Sequence, residues 1–186
     1  KAFSLILPAI PPGTALQLSN GTTVRYAQLF KCEQVLRSDC NRGVSGIEGS
    51  TSTAAGAACV GEEMTVLITG DMSFSYDVNG LSSTYLSPRF KIIVMCNGGG
   101  GIFRFIKPTS DLPELETCFE IHRDISVEKY ADLFGLRYFE LNDEKSAAEV
   151  LSLFFAEKDR PAILAVHTPN VYNAEVLRGY FRRSRQ

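Results

Sequence analysis

Residues 64–71 read MTVLITGD, an apolar run that ends in Gly-Asp, and residues 90–97 read FKIIVMCN, a second apolar run that ends in Asn. Strands that are apolar throughout, instead of alternating with polar residues, are typical of a parallel sheet that is covered on both faces. These two stretches therefore predict adjacent buried strands of an α/β domain, and the rest of the chain is interpreted outward from them.

The alternation of strands and helices extends over the whole chain. The pattern predicts strands at 14–18, 34–39, 64–69, 90–96, 137–141 and 161–167. It predicts helices at 2–10, 22–31, 50–60, 73–86, 126–134, 143–157 and 173–183, and a long loop at 97–123. Ser126 is expected to begin one helix and Gly135 to end it. The predicted fold is α/β, a doubly wound and mostly parallel sheet of about six strands with helices on both faces.

Ligands of doubly wound folds bind beyond the carboxyl ends of the strands. The loops that follow the predicted strands are therefore the expected place for a site. They are also rich in Gly, Asn, Ser and Asp, and they cover residues 19–21, 41–49, 70–73 and 97–106.

Composition excludes several classes of protein. The 186 residues are 22% charged and 45% hydrophobic, which suits a globular domain and not a disordered chain. A net charge of −2 argues against a nucleic-acid partner, which requires a basic excess. No run is apolar enough to span a bilayer and no signal-peptide pattern occurs, so a cytoplasmic protein without membrane insertion is expected. The five cysteines lack CxxC spacing, which disfavours both a disulfide framework and a zinc site.

Gly-Asp and Asn-Gly follow the two apolar strands. The first N–H groups of a helix can hold a phosphate, and Asp71 would then bridge to that phosphate through a divalent cation. Asn97, at the end of the adjacent strand, supplies a second hard oxygen ligand. Each residue alone has an ordinary explanation, Asp71 as a helix cap and Asn97 as a turn former.

Taken together, these two loops resemble the thiamine diphosphate (ThDP) motif, in which GDG is followed by a strand and NN. The metal-binding Asp and Asn of that motif match Asp71 and Asn97, and a third ligand, a backbone carbonyl, matches Gly99. The resemblance implies that these residues bind Mg²⁺ or Mn²⁺. It also implies that Gly70, Asp71, Met72 and Ser73 contact the cofactor.

A narrower resemblance covers most of the chain. Residues 41–49 read NRGVSGIEG and residues 52–56 read STAAG. They are similar to the signature of the 2-succinyl-5-enolpyruvyl-6-hydroxy-3-cyclohexene-1-carboxylate (SEPHCHC) synthases, ThDP enzymes of menaquinone biosynthesis. The resemblance implies that 14–186 is the C-terminal domain that binds the diphosphate, with 1–13 as a linker or helix that enters it. The pyrimidine-binding and central domains of that family are absent from this stretch.

Four positions depart from the family patterns. Met72 stands in place of the third residue of GDG, and Cys96 in place of the first Asn of NN. Neither position is a metal-binding side chain in the family, so the departure at Cys96 bears on hydrogen bonding in the loop. Glu48 stands where Asp is commoner. Gly21 stands where Ser is common, so we expect a side-chain contact to be lost there.

The family resemblance also implies the substrates. It implies decarboxylation of 2-oxoglutarate and addition of the succinyl carbanion equivalent to isochorismate. Arg25 and Arg42 match arginines that bind the carboxylates of these substrates, a task that suits the planar guanidinium. Ile106 matches an apolar position in the substrate pocket. Without the resemblance, Arg25 is equally explained as a solvated helix residue.

The same resemblance implies further contacts with the cofactor. Ile47 matches the bulky residue beneath the bent cofactor, although packing in the core explains an isoleucine equally well. The other implied contacts come from Ser45, Gly46, Ile102 and Phe103.

Assembly and activity follow from the family as well. A neighbouring subunit supplies the pyrimidine-binding domain in that family, so a homodimer or homotetramer is implied. The activating glutamate lies on that domain, so we expect no catalytic residue here and no activity from the chain alone. Two alternatives remain open: another ThDP decarboxylase or synthase, related to acetolactate synthase, and a non-catalytic nucleotide-binding module.

Overall fold

The computed structural model describes residues 1–43, 45–168 and 170–183. The described residues contain one six-stranded sheet. Its strands are β1 (Ala15–Leu18), β2 (Arg37–Cys40), β3 (Thr65–Gly70), β4 (Phe90–Cys96), β5 (Arg137–Leu141) and β6 (Ala162–His167). Their order is β2-β1-β3-β4-β6-β5, and every adjacent pair is parallel. The predicted α/β fold is confirmed.

Helices cover both faces of this sheet. They are α1 (Ala2–Ala9), α2 (Thr22–Ala27), α3 (Ser50–Val60), α4 (Asp71–Tyr76), α5 (Ile102–Phe105), α6 (Val127–Phe134), α7 (Ala147–Ala156) and α8 (Asn170–Arg183). Shorter 3₁₀ turns occur at Val78–Ser82 and Thr109–Asp111, and a π-helical turn at Leu115–Glu120. Across the described part of the chain, no helix combines the length and apolar character needed to cross a membrane.

The continuous apolar runs have a direct structural cause. Alternate side chains of a strand point to opposite faces, and both faces are buried here. Ile68 joins the core on the side of α1 and α7, whereas Leu67 joins the core on the side of α3, α4 and α6. Both side chains are fully buried. The helix expected within residues 1–13 is α1, whose Ile6 and Leu7 belong to the first of these cores.

Several element boundaries differ from the prediction. The helix expected at 73–86 begins at Asp71 and ends at Tyr76, because Asp77 leaves the helical conformation (φ −129°, ψ 21°). The Asp77 carboxylate instead accepts hydrogen bonds from the backbone N–H and the hydroxyl of Ser52 in the first turn of α3 (2.7 and 2.5 Å). A contact with a distant segment therefore ends this helix.

Other boundaries moved for local reasons. The helix expected at 143–157 begins at Ala147, because the Asp143 carboxylate accepts from the backbone N–H groups of Lys145 and Ser146 and forms a turn (2.8 and 3.1 Å). β2 is an edge strand with mostly exposed side chains, so it lacks a strong apolar pattern. The loop expected at 97–123 was wrong in part, since three short helical segments lie within it.

The order of the strands places the site. From β1 the chain moves outward to β2 and then crosses back to β3 on the other side of β1. Loops that leave the carboxyl ends of β1 and β3 therefore diverge and open a crevice at this point.

Candidate functional site

A cavity of about 600 Å³ lies at the carboxyl ends of β1 to β4. All four loops predicted to carry a site contribute to its walls. Those walls include Arg25, Arg42, Ser45, Ile47, Gly70, Asp71, Met72, Ser73, Asn97, Gly99, Ile102, Phe103 and Ile106. Gly46 belongs to the same loop as Ser45 and Ile47, and its carbonyl accepts a hydrogen bond from Asn20 (2.5 Å). The structure thus brings the predicted residues together around one space.

Asp71 lies at the centre of this arrangement and is 3% exposed. Its Oδ2 accepts from the backbone N–H groups of Asn97 (2.9 Å) and Gly98 (2.6 Å), and its Oδ1 accepts from that of Met72 (2.8 Å). Burial raises the pKa of the Asp71 carboxyl, and these N–H groups partly oppose that rise. The Asp71 carboxylate therefore links the end of β3 to the end of β4, as expected for two adjacent strands.

Glycines allow the backbone after β4 to approach its neighbours closely. Gly98 has a left-handed φ of 80°, and a Cβ there would lie 2.4 Å from the His122 ring. A Cβ on Gly99 (φ 155°) would lie 2.5 Å from the Glu120 carbonyl oxygen. Side chains at either position would push this loop away from the segment 120–123.

The donors at this point suit a hard divalent cation. Asp71 offers carboxylate oxygens, Asn97 an amide oxygen and Gly99 a backbone carbonyl, which are the ligand types that Mg²⁺ prefers. Within the described ranges, no group of three or more His, Cys, Asp and Glu residues forms a metal site. A cation here would therefore depend on this mixed set of oxygens, and its charge would favour the ionised form of the buried carboxyl of Asp71.

The loop at 41–49 is held by side chains from outside it. Ser73 Oγ, on α4, donates to the carbonyl of Ile47. Asn20, just after β1, donates to the carbonyls of Asn41 and Gly46. These bonds place the half-buried Ile47 on the wall of the cavity, where its side chain can support a ligand.

Two arginines line the same cavity. Arg25 lies on α2, and its buried Nε makes no hydrogen bond to any described residue. Arg42 is exposed, and its Nη1 donates to Asn20 Oδ1 (3.3 Å). A buried donor without a partner is costly, so Arg25 is suited to receive an anionic group of a ligand.

Sequence reasoning missed some wall residues. Asn20 follows a buried strand as Asn97 does, so the same pattern could have identified it. Phe119 and Ile121 also line the cavity, but they lie in the segment that was expected to be an unstructured loop. No periodic pattern marks them. Phe119 lies in the π-helical turn and Ile121 directly follows it, and an ion pair to Glu120 stabilises this turn.

That ion pair joins Arg104 to Glu120. Arg104 Nε and Nη2 donate to the two oxygens of the buried Glu120 carboxylate (2.7 and 2.6 Å), and Nη2 also meets Glu116 (3.0 Å). These carboxylates raise the pKa of Arg104 above its ordinary value. A second cavity, of about 670 Å³, borders this ion pair together with Asp71 and Asn97.

Comparison with known proteins agrees with this geometry. Residues 20–166 match the family described as "Thiamine pyrophosphate enzyme, C-terminal TPP binding domain". The chain belongs to this family. The matched range of this thiamine pyrophosphate-binding domain contains residues of all four loops around the cavity, and thiamine pyrophosphate is the same compound as ThDP.

Individual relatives of the domain carry one name, 2-succinyl-5-enolpyruvyl-6-hydroxy-3-cyclohexene-1-carboxylate synthase. The protein of Porphyromonas gingivalis is 48% identical over 97% of this chain and 32% of its own length. That of Flavobacterium johnsoniae is 41% identical over 98% of the chain and 33% of its own length. That of Bacteroides thetaiotaomicron is 32% identical over the whole chain and 34% of its own length. The chain spans about a third of the length of these curated relatives.

Proposed function

We propose that this domain is the part of a SEPHCHC synthase that holds the diphosphate of ThDP and binds substrate carboxylates. The observation that carries the proposal is the convergence of two independent features on one cavity. The Asp71–Asn97 pair suits a metal diphosphate, and Arg25 offers a buried unpaired donor to an anion. The relatives are named as SEPHCHC synthases. The reaction proposed here is the one that the family resemblance implies, in which 2-oxoglutarate is decarboxylated and a succinyl group is added to isochorismate.

Asp71, Asn97 and the carbonyl of Gly99 would bind Mg²⁺ or Mn²⁺ in this proposal. Asp71 would supply one negative charge, and Asn97 and Gly99 neutral oxygens, so the cation would keep positive charge for the diphosphate. Gly70, Met72 and Ser73 lie beside Asp71 in the sequence and would contact the diphosphate as well. The N–H groups of Asn97 and Gly98 donate to the Asp71 carboxylate. The orientation of this carboxylate is therefore fixed before a cation binds.

Apolar residues would enclose the reactive end of the cofactor. Ile47 would support its bent shape, with Ser45 and Gly46 beside it, and Ile102, Phe103 and Ile106 would exclude water from the wall formed after β4. When bound, the thiazolium ring supplies the electron sink for decarboxylation. Excluding water strengthens the electrostatic interactions of the nearby arginines.

Arg25 and Arg42 would orient the substrates. 2-Oxoglutarate and isochorismate are both polyanions, and a guanidinium holds a carboxylate through two parallel hydrogen bonds. Arg25 is placed by α2 and Arg42 by the loop at 41–49, so the two arginines approach the cavity from different elements.

We also propose how the site is completed. The chain spans about a third of its relatives' length, and other parts of such an enzyme would supply the pyrimidine-binding domain and its activating glutamate. The assembly would be a homodimer or homotetramer in the cytoplasm, in which a neighbouring subunit closes the cavity. The chain alone would then lack activity.

The metal assignment is tested in the complete enzyme, meaning this chain joined to the remaining two thirds of length present in its relatives. Asp71→Ala should abolish Mg²⁺-dependent binding of ThDP, measured by isothermal titration. Unchanged affinity would refute the assignment.

A thermal-shift panel with ThDP, NAD, FAD and ATP, each with and without Mg²⁺, tests the class of ligand. Stabilisation by ATP in preference to ThDP would instead indicate a nucleotide-binding module.

The assignment of the arginines has a separate test. Arg42→Ala or Arg25→Ala should reduce kcat/KM for 2-oxoglutarate or isochorismate by about tenfold to a hundredfold, since each removes a charge-assisted hydrogen bond. The affinity for ThDP should change little. An equal loss of ThDP affinity would make these arginines cofactor ligands. Use of pyruvate by the wild-type enzyme in place of 2-oxoglutarate would indicate a relative of acetolactate synthase.

A further inference from the structure

Asn20 has a role that neither the motif nor the family match assigns. It lies two residues beyond β1, lines the cavity and is 6% exposed. Its Nδ2 donates to the carbonyls of Asn41 (2.6 Å) and Gly46 (2.5 Å), and its Oδ1 accepts from Arg42 Nη1 (3.3 Å). The Oδ1 also accepts from Cys40 Sγ, at the end of β2 (3.7 Å). Both ends of one buried amide thus contact the loop that follows β2.

The two carbonyls that Asn20 contacts lie next to the two functional residues of that loop. One belongs to the residue before Arg42, and the other to the residue before Ile47. A primary amide has two N–H donors, and both are directed to these carbonyls. The amide therefore sets the distance between the start of the loop, which carries the arginine, and its end, which carries the apolar support.

Local backbone preferences do not fix this loop. No helix or strand is assigned to its described residues, and Ser45 has a left-handed φ of 57°, which is uncommon for a residue other than glycine. A loop without regular structure needs side-chain contacts to keep one conformation. Asn20 supplies such contacts from the rigid end of a central strand.

We infer that Asn20 is a positioning residue that fixes Arg42 relative to Ile47, and so aligns the bound substrate with the cofactor. This inference rests on the proposed function of those two residues. An aspartate at this position would keep the size and the acceptor for Arg42, but it would lose both donors to the carbonyls. Asn20→Asp also adds a negative charge that faces the two carbonyls, whereas Asn20→Ala removes the contacts without adding a charge. An effect that is shared by the two variants therefore reports the loss of the donors.

Gln17 offers a matched control. It is also a buried amide on the same chain segment, 5% exposed, and its Nε2 donates to the side chain of Asn41 (3.2 Å). Gln17→Met removes a hydrogen bond to the same loop without releasing either backbone carbonyl. If any buried amide at this end of β1 stabilised the loop equally, the Asn20 and Gln17 variants would behave alike.

The experiment compares N20D, N20A and Q17M in the complete enzyme. For N20D and N20A we expect kcat/KM for 2-oxoglutarate to fall by about tenfold to a hundredfold, with faster hydrogen exchange at 41–49. The Kd of ThDP with Mg²⁺ should change by less than about threefold, because Asn20 does not contact Asp71 or Asn97, and Q17M should resemble the wild type.

Several results would overturn the inference. Wild-type kcat/KM and wild-type exchange in N20D would exclude positioning by the two donors. A loss of ThDP affinity as large as the loss of kcat/KM would show a general structural role. If the wild-type enzyme itself does not use 2-oxoglutarate, the proposed function fails, whereas the exchange at 41–49 still decides whether Asn20 holds the loop.

Discussion

The loops at 41–49 and 97–123 follow β2 and β4, at the carboxyl ends of the strands, and both line the same cavity. They are held in different ways. The first is fastened from outside, by Asn20 and Ser73. The second is fastened largely by its own residues, since Arg104 pairs with Glu120 inside it. The first loop thus depends on side chains from other elements. The second combines an internal ion pair with contacts from outside, since Asp71 accepts from the N–H groups of Asn97 and Gly98.

Backbone hydrogen bonds join the start of the second loop to its end. The carbonyl of Glu120 accepts from the N–H of Gly100 (2.8 Å), and the N–H of Arg123 donates to the carbonyl of Gly98 (3.0 Å). The segment beyond the π-helical turn is therefore folded back onto the glycines after β4. In addition, Arg178 on α8 donates to the carbonyl of Arg104. This last bond is one link from the second loop to the rest of the fold.

The largest effect is expected from breaking the ion pair inside the loop at 97–123. Arg104→Met removes the guanidinium from the buried carboxylate of Glu120, which should lower the free energy of unfolding by about 3 kcal/mol. Hydrogen exchange should increase over 97–123 and stay unchanged over 41–49. Urea unfolding combined with exchange mass spectrometry measures both quantities.

Glu116→Gln is the control for that prediction. Its carboxylate meets the same guanidinium, but the side chain is 74% exposed, so its removal should cost less than about 1 kcal/mol. Equal losses in R104M and E116Q would mean that the buried pair is not what holds the loop.

A second prediction uses a site remote from both loops. Lys91, at the start of β4, is fully buried, and its Nζ donates to the carbonyls of Pro88 (2.8 Å) and Glu157 (2.7 Å). Burial lowers its pKa from 10.5 to about 8. Between these values the unfolded chain binds more protons, so this lysine favours folding more as the pH rises.

Comparison with Lys91→Met isolates the contribution of Lys91 to the pH dependence of the free energy of unfolding. The free energy of unfolding of the wild type should rise relative to K91M by about 1–2 kcal/mol between pH 8 and about pH 9.5. Exchange in both loops should stay the same in the two proteins. A pH-independent difference between them would show that Lys91 keeps its ordinary pKa.

The smallest effect is expected at the loop held from outside. Ser73→Ala removes the donor to the carbonyl of Ile47 and should cost about 1 kcal/mol, with faster exchange at 41–49 only. Ser75 lies on the same helix, but its hydroxyl bonds the carbonyl of Asp71 four residues earlier (2.9 Å), so Ser75→Ala is the matched control. If S75A loosens 41–49 as much as S73A does, the hydroxyl of Ser73 is not a specific tie.

Local patterns in the chain were enough to predict most of the framework. The buried strands at 64–69 and 90–96 were found because both faces of a parallel sheet are covered, which leaves a continuous apolar run. Ser126 and Gly135 were predicted as the ends of α6. The structure confirms both, because Ser126 Oγ accepts from the N–H of Lys129 and Gly135 is left-handed (φ 68°). Each of these features depends on residues that are close in sequence.

The predicted residues came together around one cavity for a related reason. In a parallel sheet all carboxyl ends lie at one edge, so polar residues that follow strands are gathered there without further information. The positions of Asp71 and Asn97 could therefore be anticipated from two strand ends alone.

Contacts between distant residues decided the rest. Asn20 bonds loop residues 21 and 26 positions away, and Asp77 ends α4 by bonding the start of α3, 25 positions away. Arg104 orders the segment after β4 through a partner 16 positions further along. Periodicity reports which side chains are buried, but it does not report which donor meets which acceptor. That pairing is set only when the sheet brings the strand ends within hydrogen-bonding distance of one another.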